Sequence, residues 1–413
     1  MEQSAAQTTE AQAAEKAGER SQHGLDRLLA STLQSRIAGA GVSVELWNGV
    51  ATTPQGVTCG TLVVHDRLAL IGLLVDPDLQ FGDLYSDARI DIRGDFGAVL
   101  EALSHNSLRD SLTLRERWAL LTEHAAGVRA ARRNIHRHYD IGNDFYRLWL
   151  DRDMVYTCAY YPTRDASLEE AQTAKLDLVC RKVNLQRGDA VIEAGCGWGA
   201  LALHMACRYG ARVRAFNISR EQLEFARARA VRAGVSARVE FVEDDYRNIT
   251  GHCDVFVSVG MLEHVGLRNY GALSEVIGRT LDCRTGRGLL HFIGRERRRP
   301  LNAWIKRRIF PGAFVPTLSD VDARVLEPCG FATLDVENLR LHYARTLEQW
   351  WERYERAVPE VRQMFDERFV RMWRLYLAGS RAAFASGWLQ LFQVVFAPPD
   401  LAVRWTRDDL YSA

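Results

Sequence analysis

From residue 179 onward, short apolar runs alternate along the chain with stretches of helical periodicity. Such alternation is typical of a doubly wound parallel sheet, in which each buried strand is followed by a covering helix. The predicted strands are 190–193, 212–216, 239–242, 254–259, 289–293 and 389–396. A helix over 200–209 is predicted to end at Gly210, and a capping-box pattern at 219–222 opens another that Gly234 can end. The pattern therefore predicts a large α/β domain.

The first part of the chain has a different pattern. A polar start rich in Ala, Gln and Glu predicts a disordered tail, and a helix is expected over 25–37. Short apolar runs between 42 and 103, among them 68–74, are broken by Gly, Asn, Pro and Asp, which favours a small strand-rich or α+β domain. Residues 104–133 are helical in composition and highly charged, as a connecting helix would be. The predicted domains are a tail over 1–24, an N-terminal domain over 25–115, a linker helix over 116–133 and a larger domain over 134–413.

Composition narrows the class of protein. The chain has 47% hydrophobic and 25% charged residues, which suits a folded core, and its net charge of +1 argues against a protein that coats nucleic acid. The first twenty residues lack the apolar core of a signal peptide, and the longest aliphatic run, 68–75, is far shorter than the ~20 residues of a membrane-spanning helix. The eight cysteines form no C-x-x-C pair, so we expect reduced thiols, no metal site and a cytoplasmic location.

A glycine-rich segment, EAGCGWG over 193–199, lies between the first strand of the α/β domain and its helix. Glycines at such a turn let the backbone approach a nucleotide-like ligand, although they also suit a tight turn without a ligand. A dinucleotide site is disfavoured, because the third glycine of G-x-G-x-x-G is displaced and the second strand ends at Asn217 rather than at an acidic residue. The acidic-x-Gly-x-Gly form resembles the first motif of S-adenosylmethionine methyltransferases.

Five blocks together resemble the cyclopropane-fatty-acyl-phospholipid synthase family, and they stand in that family's order. The blocks are HYDIGNDFY (138–146), YTCAYY (156–161), GCGWG (195–199), ISREQ (218–222) and SVGMLEHVG (258–266). The likeness covers about residues 130–397, and FGD (81–83) with DIRGD (91–95) resembles the family's N-terminal lipid-binding domain. This resemblance implies a Rossmann-like class I methyltransferase domain with a smaller N-terminal α+β lipid-binding domain.

The resemblance also implies two bound groups, S-adenosylmethionine and a bicarbonate ion that acts as the base. The cofactor-binding positions that carry over are Tyr156, Thr157, Glu193, Gly195, Cys196, Gly197, Trp198, Asn217, Ile218, Ser219, Gln222, Asp245 and Tyr246. Asn217, Ile218, Ser219 and Gln222 would line the ribose and methionine side, and Asp245 and Tyr246 would flank the adenine. The positions that would hold the base are Cys158 (chiefly by its backbone), Glu263, His291, Ile293 (by its backbone) and Tyr343. Because a carboxylate repels a bare anion, Glu263 is expected to accept the bicarbonate hydroxyl proton.

Two other features bear on the substrate. The aromatic residues Tyr156, Tyr160, Tyr161 and Trp198 either stabilise developing positive charge through their faces or pack in the core. The segment 295–310, RERRRPLNAWIKRRIF, sets seven cations against one acid, with apolar and aromatic residues between them. It suits anionic lipid headgroups; a nucleic-acid patch and an ordinary solvated helix face are the alternatives.

Two positions depart from the family pattern. Ser380 stands where relatives commonly have a cysteine, which puts activity in doubt only if that cysteine were an essential nucleophile. Asn217 stands where many relatives have threonine, and both side chains accept a hydrogen bond. Cofactor binding is therefore expected to survive.

We predict an enzyme that converts cis-unsaturated acyl chains of membrane phospholipids to cyclopropane fatty acids, as a homodimer at the inner face of the membrane and without nucleic acid. A synthase of 10-methyl or methylene-branched chains is a close alternative, since the same carbocation can lose its proton from another carbon. Small-molecule methyltransferases share the fold but commonly lack the base residues. A non-catalytic lipid-binding protein is the alternative from another class.

Overall fold

The computed structural model describes residues 24–54, 56–107, 141–402 and 404–411. Cα packing divides the chain into two units, the first of Met1–Asp110 and Arg362–Ala382 and the second of Ser111–Val361 and Ala383–Ala413. The predicted tail up to residue 23, the predicted linker helix over 116–133 and the start of the motif at 138–146 lie outside the described residues.

The first unit has an α+β fold, as predicted. Its four-stranded sheet has the order β2-β1-β3-β4, with β1 parallel to β3 and the other pairs antiparallel. The strands are β1 (Val42–Leu46), β2 (Ala51–Thr52), β3 (Gly60–Val64) and β4 (Ile90–Gly94). The helices are α1 (24–36), α2 (Arg67–Val75), α3 (Pro77–Ser86) and α4 (Phe96–Ser107). The apolar run 68–74 is helical because Asp66 caps it, its carboxylate accepting the Ala69 N–H at 2.8 Å.

Residues 362–382 pack with this first unit, whereas the predicted boundary placed them in a domain running from 134 to 413. Arg371 donates to the carbonyls of Tyr85 at 2.6 Å and Ile90 at 3.0 Å, and its guanidinium lies 4.2 Å from the Tyr85 ring centroid. Arg381 forms an ion pair with Glu101. These contacts join residues almost three hundred positions apart, so the local sequence pattern carries no sign of them.

The second unit contains a seven-stranded sheet of order β10-β11-β9-β8-β5-β6-β7. Its strands are β5 (Ala190–Ala194), β6 (Arg212–Asn217), β7 (Val239–Glu243), β8 (Val255–Val259), β9 (Arg287–Gly294), β10 (Ala332–Asn338) and β11 (Gln390–Ala397). The five strands from β9 to β7 are parallel, and β11 runs antiparallel between β9 and β10. The six predicted strands of this domain are confirmed. Strand β10 was not predicted; it is a partly exposed edge strand in which Ala332, Leu334 and Val336 alternate with polar residues.

The remaining helices lie between residues 143 and 411. They are α5 (Asn143–Arg147), α6 (Leu168–Lys182), α7 (Ala200–His204), α8 (Arg220–Arg232), α9 (Leu262–Val265), α10 (Tyr270–Thr280), α11 (Leu318–Val321), α12 (Arg340–Arg356), α13 (Val358–Met364), α14 (Glu367–Ser386) and α15 (Asp408–Tyr411), the residues 362–382 within α13 and α14 belonging to the first unit. Single turns of 3₁₀-helix span Ala38–Ala40, Tyr246–Asn248, Leu267–Asn269 and Glu327–Cys329, and π-helical turns span Met205–Tyr209, Ile305–Ile309 and Asp322–Leu326.

The two predicted helix signals behave differently. The predicted helix over 200–209 forms as α7 and its π-helical extension, and it ends at Gly210 as expected. Ser219 caps α8 by accepting the Gln222 N–H at 3.4 Å, but the reciprocal half of the capping box is absent. The Gln222 side chain accepts instead from Asn217 at 2.7 Å, which ties the helix start to the end of β6.

Alternate residues of the central strands enter two separate cores, one on each face of the sheet. Val191 and Val255 belong to one core, and Ile192 and Phe256 to the other. The strand order reverses between β5 and β8, so the carboxyl ends of these strands border a crevice, which is where doubly wound sheets bind ligands. Within the described ranges, every helix is too short or too polar to span a bilayer.

Candidate active site

The glycine turn lies at the carboxyl end of β5 and contacts the segment that carries Glu263. Gly195 has φ +86°, and a Cβ there would lie 2.9 Å from Cβ of Met261. The amide N–H groups of Gly195 and Cys196 both donate to the Phe216 carbonyl, at 2.9 and 3.0 Å. Only glycine allows this backbone path at Gly195, so the turn and the end of β8 share one wall of the crevice.

The predicted ribose-side residues form a connected set at the end of β6. The Asn217 amide donates to the Gly197 carbonyl at 3.2 Å and to Gln222 Oε1 at 2.7 Å. Its Oδ1 accepts the N–H groups of Ile218 at 2.8 Å and Ser219 at 3.3 Å. Asn217 thus joins the glycine turn to the start of α8, and this bracing role explains why a polar side chain is needed there.

The predicted adenine-side residues follow β7. The Asp245 carboxylate is buried and accepts from both Nε and Nη2 of Arg247, at 2.7 and 2.9 Å. The Tyr246 ring lies 5.2 Å from the same guanidinium, and burial raises the pKa of its hydroxyl to about 12. Arg247 was not predicted. It donates to the Asp245 carboxylate, the group that the resemblance assigns to the cofactor.

Glu263 and Ile293 meet directly. Glu263 Oε1 accepts the Ile293 N–H at 2.6 Å, while Oε2 is buried and has no hydrogen-bond partner within the described part of the chain. Burial raises the pKa of this carboxyl to about 7. A buried carboxyl oxygen without a partner costs free energy, which a bound hydrogen-bonding group would recover.

His291 lies beside this pair, on the same strand as Ile293. Its carbonyl accepts the Gly260 N–H at 2.8 Å, and a Cβ on Gly260 would lie 2.9 Å from Cγ2 of Thr157. The ring is buried; its Nδ1 contacts Gln393, and among the described residues Nε2 has no partner. Burial, helped by the positive charges of Lys175 and Lys182, holds the pKa of His291 well below its usual value, so the ring is neutral.

Cys158 is held against the start of α12, the helix that carries Tyr343. The Ala159 N–H donates to Thr346 Oγ1 at 3.0 Å, and the Cys158 thiol lies 3.9 Å from the Leu339 carbonyl. Burial raises the pKa of this thiol far above its usual value, which disfavours the thiolate that a nucleophile needs. Cys158 is therefore suited to a backbone role, as the resemblance implies.

The aromatic residues divide into two groups. The Tyr156 ring lies 5.4 Å from Tyr146 and 5.3 Å from Trp350, while Trp198 lies 5.1 Å from Tyr146 and Tyr343 lies 6.0 Å from Trp350. This aromatic cluster connects the predicted cofactor and base residues. Tyr160 and Tyr161 lie elsewhere: their rings stack on His342, at 4.8 and 6.3 Å between centroids.

Three buried polar residues near these groups were not predicted. Lys175 donates to Thr157 Oγ1 at 3.0 Å, and burial lowers its pKa to about 8. Burial raises the pKa of the nearby Glu193 to about 8, against the attraction of Lys175. The other two residues that were not predicted are Lys182 and Gln393. A single polar residue inside an apolar run, as Gln393 is within 391–396, was the available sequence signal.

The basic segment 295–310 does not form one solvated helix face. Arg295 is only 4% exposed and donates to the carbonyls of Arg299 and Pro300 at 3.2 and 2.9 Å. The guanidinium groups of Arg295 and Arg299 lie 5.5 and 4.9 Å from the Trp388 ring, and Arg298 pairs with Asp320. Arg295 is thus part of the folded core, and Arg298 and Arg299 have partners within the protein, whereas the lipid-headgroup patch stays a prediction.

The family model of mycolic acid cyclopropane synthetases matches residues 127–394. The chain belongs to this family. It is 36% identical over 389 residues to a "Probable fatty acid methyltransferase" of Pseudomonas putida, an alignment that covers 89% of this chain and 95% of that protein. It is 40% identical over 262 residues to the cyclopropane-fatty-acyl-phospholipid synthase of Escherichia coli K12, covering 63% of this chain and 66% of the relative.

Among solved structures, the chain is similar to mycolic acid cyclopropane synthase CmaA1 complexed with SAH and CTAB, with a TM-score of 0.61 and 29% identity. That alignment covers 64% of this chain and 97% of the other. The family predicted from the sequence blocks and the class I methyltransferase fold are both confirmed. This member of the mycolic acid cyclopropane synthetase family is an S-adenosylmethionine-dependent lipid methyltransferase or cyclopropane synthase.

Proposed function

We propose that the enzyme adds the methylene group derived from S-adenosylmethionine across the cis double bond of unsaturated acyl chains in membrane phospholipids, forming a cyclopropane ring. One observation supports this most directly: Glu263 Oε2, on the short helix after β8, and His291 Nε2, on β9 opposite the end of β8, are both buried without a partner in the described ranges. An acceptor and a ring nitrogen in this position suit a site that holds a small oxyanion base.

The chemistry explains why such a base is needed. When bound, S-adenosylmethionine supplies an electrophilic methyl group, and the electron pair of the alkene forms the new carbon–carbon bond while the sulfonium leaves as a thioether. The adjacent alkene carbon becomes a carbocation, which must lose a proton from the added methyl group for the ring to close. The aromatic cluster around Tyr156 offers ring faces to that cation and excludes water.

Bicarbonate fits the residues present. Glu263 is a carboxyl whose pKa is about 7 and whose Oε1 is already oriented by the Ile293 N–H, so Oε2 can accept a hydroxyl proton. His291 is neutral and so adds no charge to the site. When bound, bicarbonate would accept the proton that the cation loses. Cys158, through its backbone, and Tyr343 would complete the set.

We further propose that the enzyme works as a homodimer at the inner face of the membrane. Support for the membrane contact alone comes from α2 of the first unit, where Leu68, Ile71 and Val75 lie on one helix face and are 72%, 39% and 74% exposed. Large apolar side chains aligned in this way are expected to enter the acyl boundary of a bilayer.

The membrane proposal predicts that Leu68→Asp with Val75→Asp lowers binding to phospholipid vesicles by about tenfold or more, because two apolar anchors become charged. Cosedimentation with anionic vesicles measures the bound fraction. Val231→Asp is the matched control, since Val231 is 70% exposed on α8 of the other unit. Equal losses in both variants would contradict a specific role for α2.

A methyl-branched product is the second candidate. The relatives include a "Tuberculostearic acid methyltransferase" of Mycobacterium tuberculosis, 37% identical over 281 residues, beside the Pseudomonas protein named a fatty acid methyltransferase. The same carbocation gives a methyl-branched chain that is still unsaturated if the proton leaves from another carbon of the acyl chain; a saturated branch would need a reductant as well.

Expression in a bacterium that lacks its own synthase tests the proposal. We expect new fatty acid methyl esters 14 mass units above the unsaturated parents, resistant to mild hydrogenation and opened to methyl branches by forcing hydrogenation, as a cyclopropane is. A product of the same added mass that takes up hydrogen under mild conditions and then carries a methyl branch would favour the second candidate, and unchanged lipids with intact S-adenosylmethionine binding would contradict both.

A further inference from the structure

A row of polar side chains crosses the sheet beside the candidate base site. Register pairs Glu337 of β10 with Gln393 of β11, and Gln393 in turn with His291 of β9. Residues directly opposite in neighbouring antiparallel strands place their side chains on the same face. Lys182, at the end of α6, contacts this row, and its side chain is 0% exposed.

Lys182 determines which way the Gln393 amide points. Its ammonium donates to Gln393 Oε1 at 2.7 Å and pairs with the Glu337 carboxylate. An ammonium has no acceptor, so the atom that it contacts must be the carbonyl oxygen of the amide. The Gln393 NH₂ group therefore faces His291, with Nε2 at 3.1 Å from the ring Nδ1.

The same argument determines the proton on the imidazole. An amide NH₂ only donates, so Nδ1 must accept, and in a neutral ring the proton then resides on Nε2. Nε2 is the nitrogen that has no partner in the described part of the protein. We infer that Lys182 and Gln393 are positioning residues that hold His291 in its Nε2–H tautomer, so that the ring offers an N–H donor to an oxyanion.

This tautomer matters for the reaction because the opposite form would present a lone pair to the oxyanion and repel it. The functional part of the inference rests on the proposed function, whereas the tautomer itself does not. Replacing the outer groups that orient metal-bound histidines typically lowers activity about 10- to 100-fold, and we expect a change of that order here.

The direct test is ¹⁵N NMR of the full chain labelled at histidine, with His291 assigned by comparison with His291→Asn. We expect a pyrrole-type Nε2 and a pyridine-type Nδ1 in the resting protein. Protonated Nδ1 in the wild type would overturn the inference, whatever the product assay shows. Failure of the proposed tautomer can therefore be distinguished from failure of the proposed function.

Two variants test the positioning residues. Gln393→Glu places a carboxylate against Nδ1, so we expect Nδ1 to become protonated and turnover to fall about 10- to 100-fold. Lys182→Met leaves the Gln393 amide free to turn over, so we expect both tautomers of His291.

Gln390→Glu is the matched control, since Gln390 is buried on the same strand but contacts Asn338 and Gly387. An equal change of the His291 signal in the control, or none in Gln393→Glu, would contradict the inference.

Discussion

We expect replacement of Glu263 by Gln to lower turnover at least about 100-fold while S-adenosylmethionine still binds, because the variant loses a group that directs the base. The amide keeps an oxygen for the Ile293 N–H but cannot accept a proton at the position of Oε2. Radiolabelled methyl transfer into unsaturated phospholipid vesicles measures turnover, and calorimetry measures the cofactor Kd. Turnover within threefold of the wild type would contradict the proposed base site.

The pH dependence of the stability of the same variant tests whether burial raises the pKa of the Glu263 carboxyl. Burial raises the pKa of this carboxyl from 4.5 to about 7, so the folded protein resists its ionisation. The unfolded chain releases the proton at a lower pH, and the wild type therefore loses stability as the pH rises from about 4.5 through 7, by roughly 3 kcal/mol.

Glutamine does not ionise, so Glu263→Gln should gain stability relative to the wild type as the pH rises over that interval and change little relative to it below pH 4.5. Urea unfolding of the ligand-free proteins at pH 5 and pH 8 gives both free energies of unfolding. A difference between the two proteins that is the same at both pH values would mean that the Glu263 carboxyl ionises normally.

Local pattern was sufficient for the elements of the parallel sheet, because each buried strand is a continuous apolar run bounded by turn residues. The pattern failed where stability depends on contacts between distant residues. Strand β10 alternates apolar and polar residues but is only partly buried at the edge of the sheet, where β11 pairs with it along its length. The packing of 362–382 with the first unit depends in the same way on Arg371 and its acceptors near Tyr85.

The candidate site shows the same division. Motif matching predicted Glu263, Ile293 and His291, and the structure places Glu263 on the helix after β8, in contact with the strand β9 that carries the other two. It did not predict Gln393, because the importance of that residue comes from its register opposite His291 and from contact with Lys182, 211 positions away. Sequence spacing says which residues end a strand, but not which side chains meet across the sheet.

The second large effect is expected from Gly195→Ala. An alanine at φ +86° carries about 1–2 kcal/mol of backbone strain, and its Cβ would approach Cβ of Met261 to 2.9 Å. Met261 immediately precedes the helix that carries Glu263, so relief of the clash shifts the base residue as well as the glycine turn. We expect kcat/KM to fall about 100-fold or more, with weaker S-adenosylmethionine binding measured by calorimetry.

Gly234→Ala is a control that separates the effect of backbone strain from the effect of the steric clash with Met261. Gly234 has φ +68° at the end of α8, and a Cβ there would meet nothing within 4 Å. The control therefore carries a similar backbone cost without a steric contact, and it should lose comparable backbone-strain energy in urea unfolding while keeping near-normal activity. If Gly195→Ala lost no more activity than Gly234→Ala, the close approach of the glycine turn to Met261 would have no part in forming the site. A loss of activity confined to Gly195→Ala would mean that cofactor binding and the position of Glu263 both depend on the close approach of Gly195 to Met261.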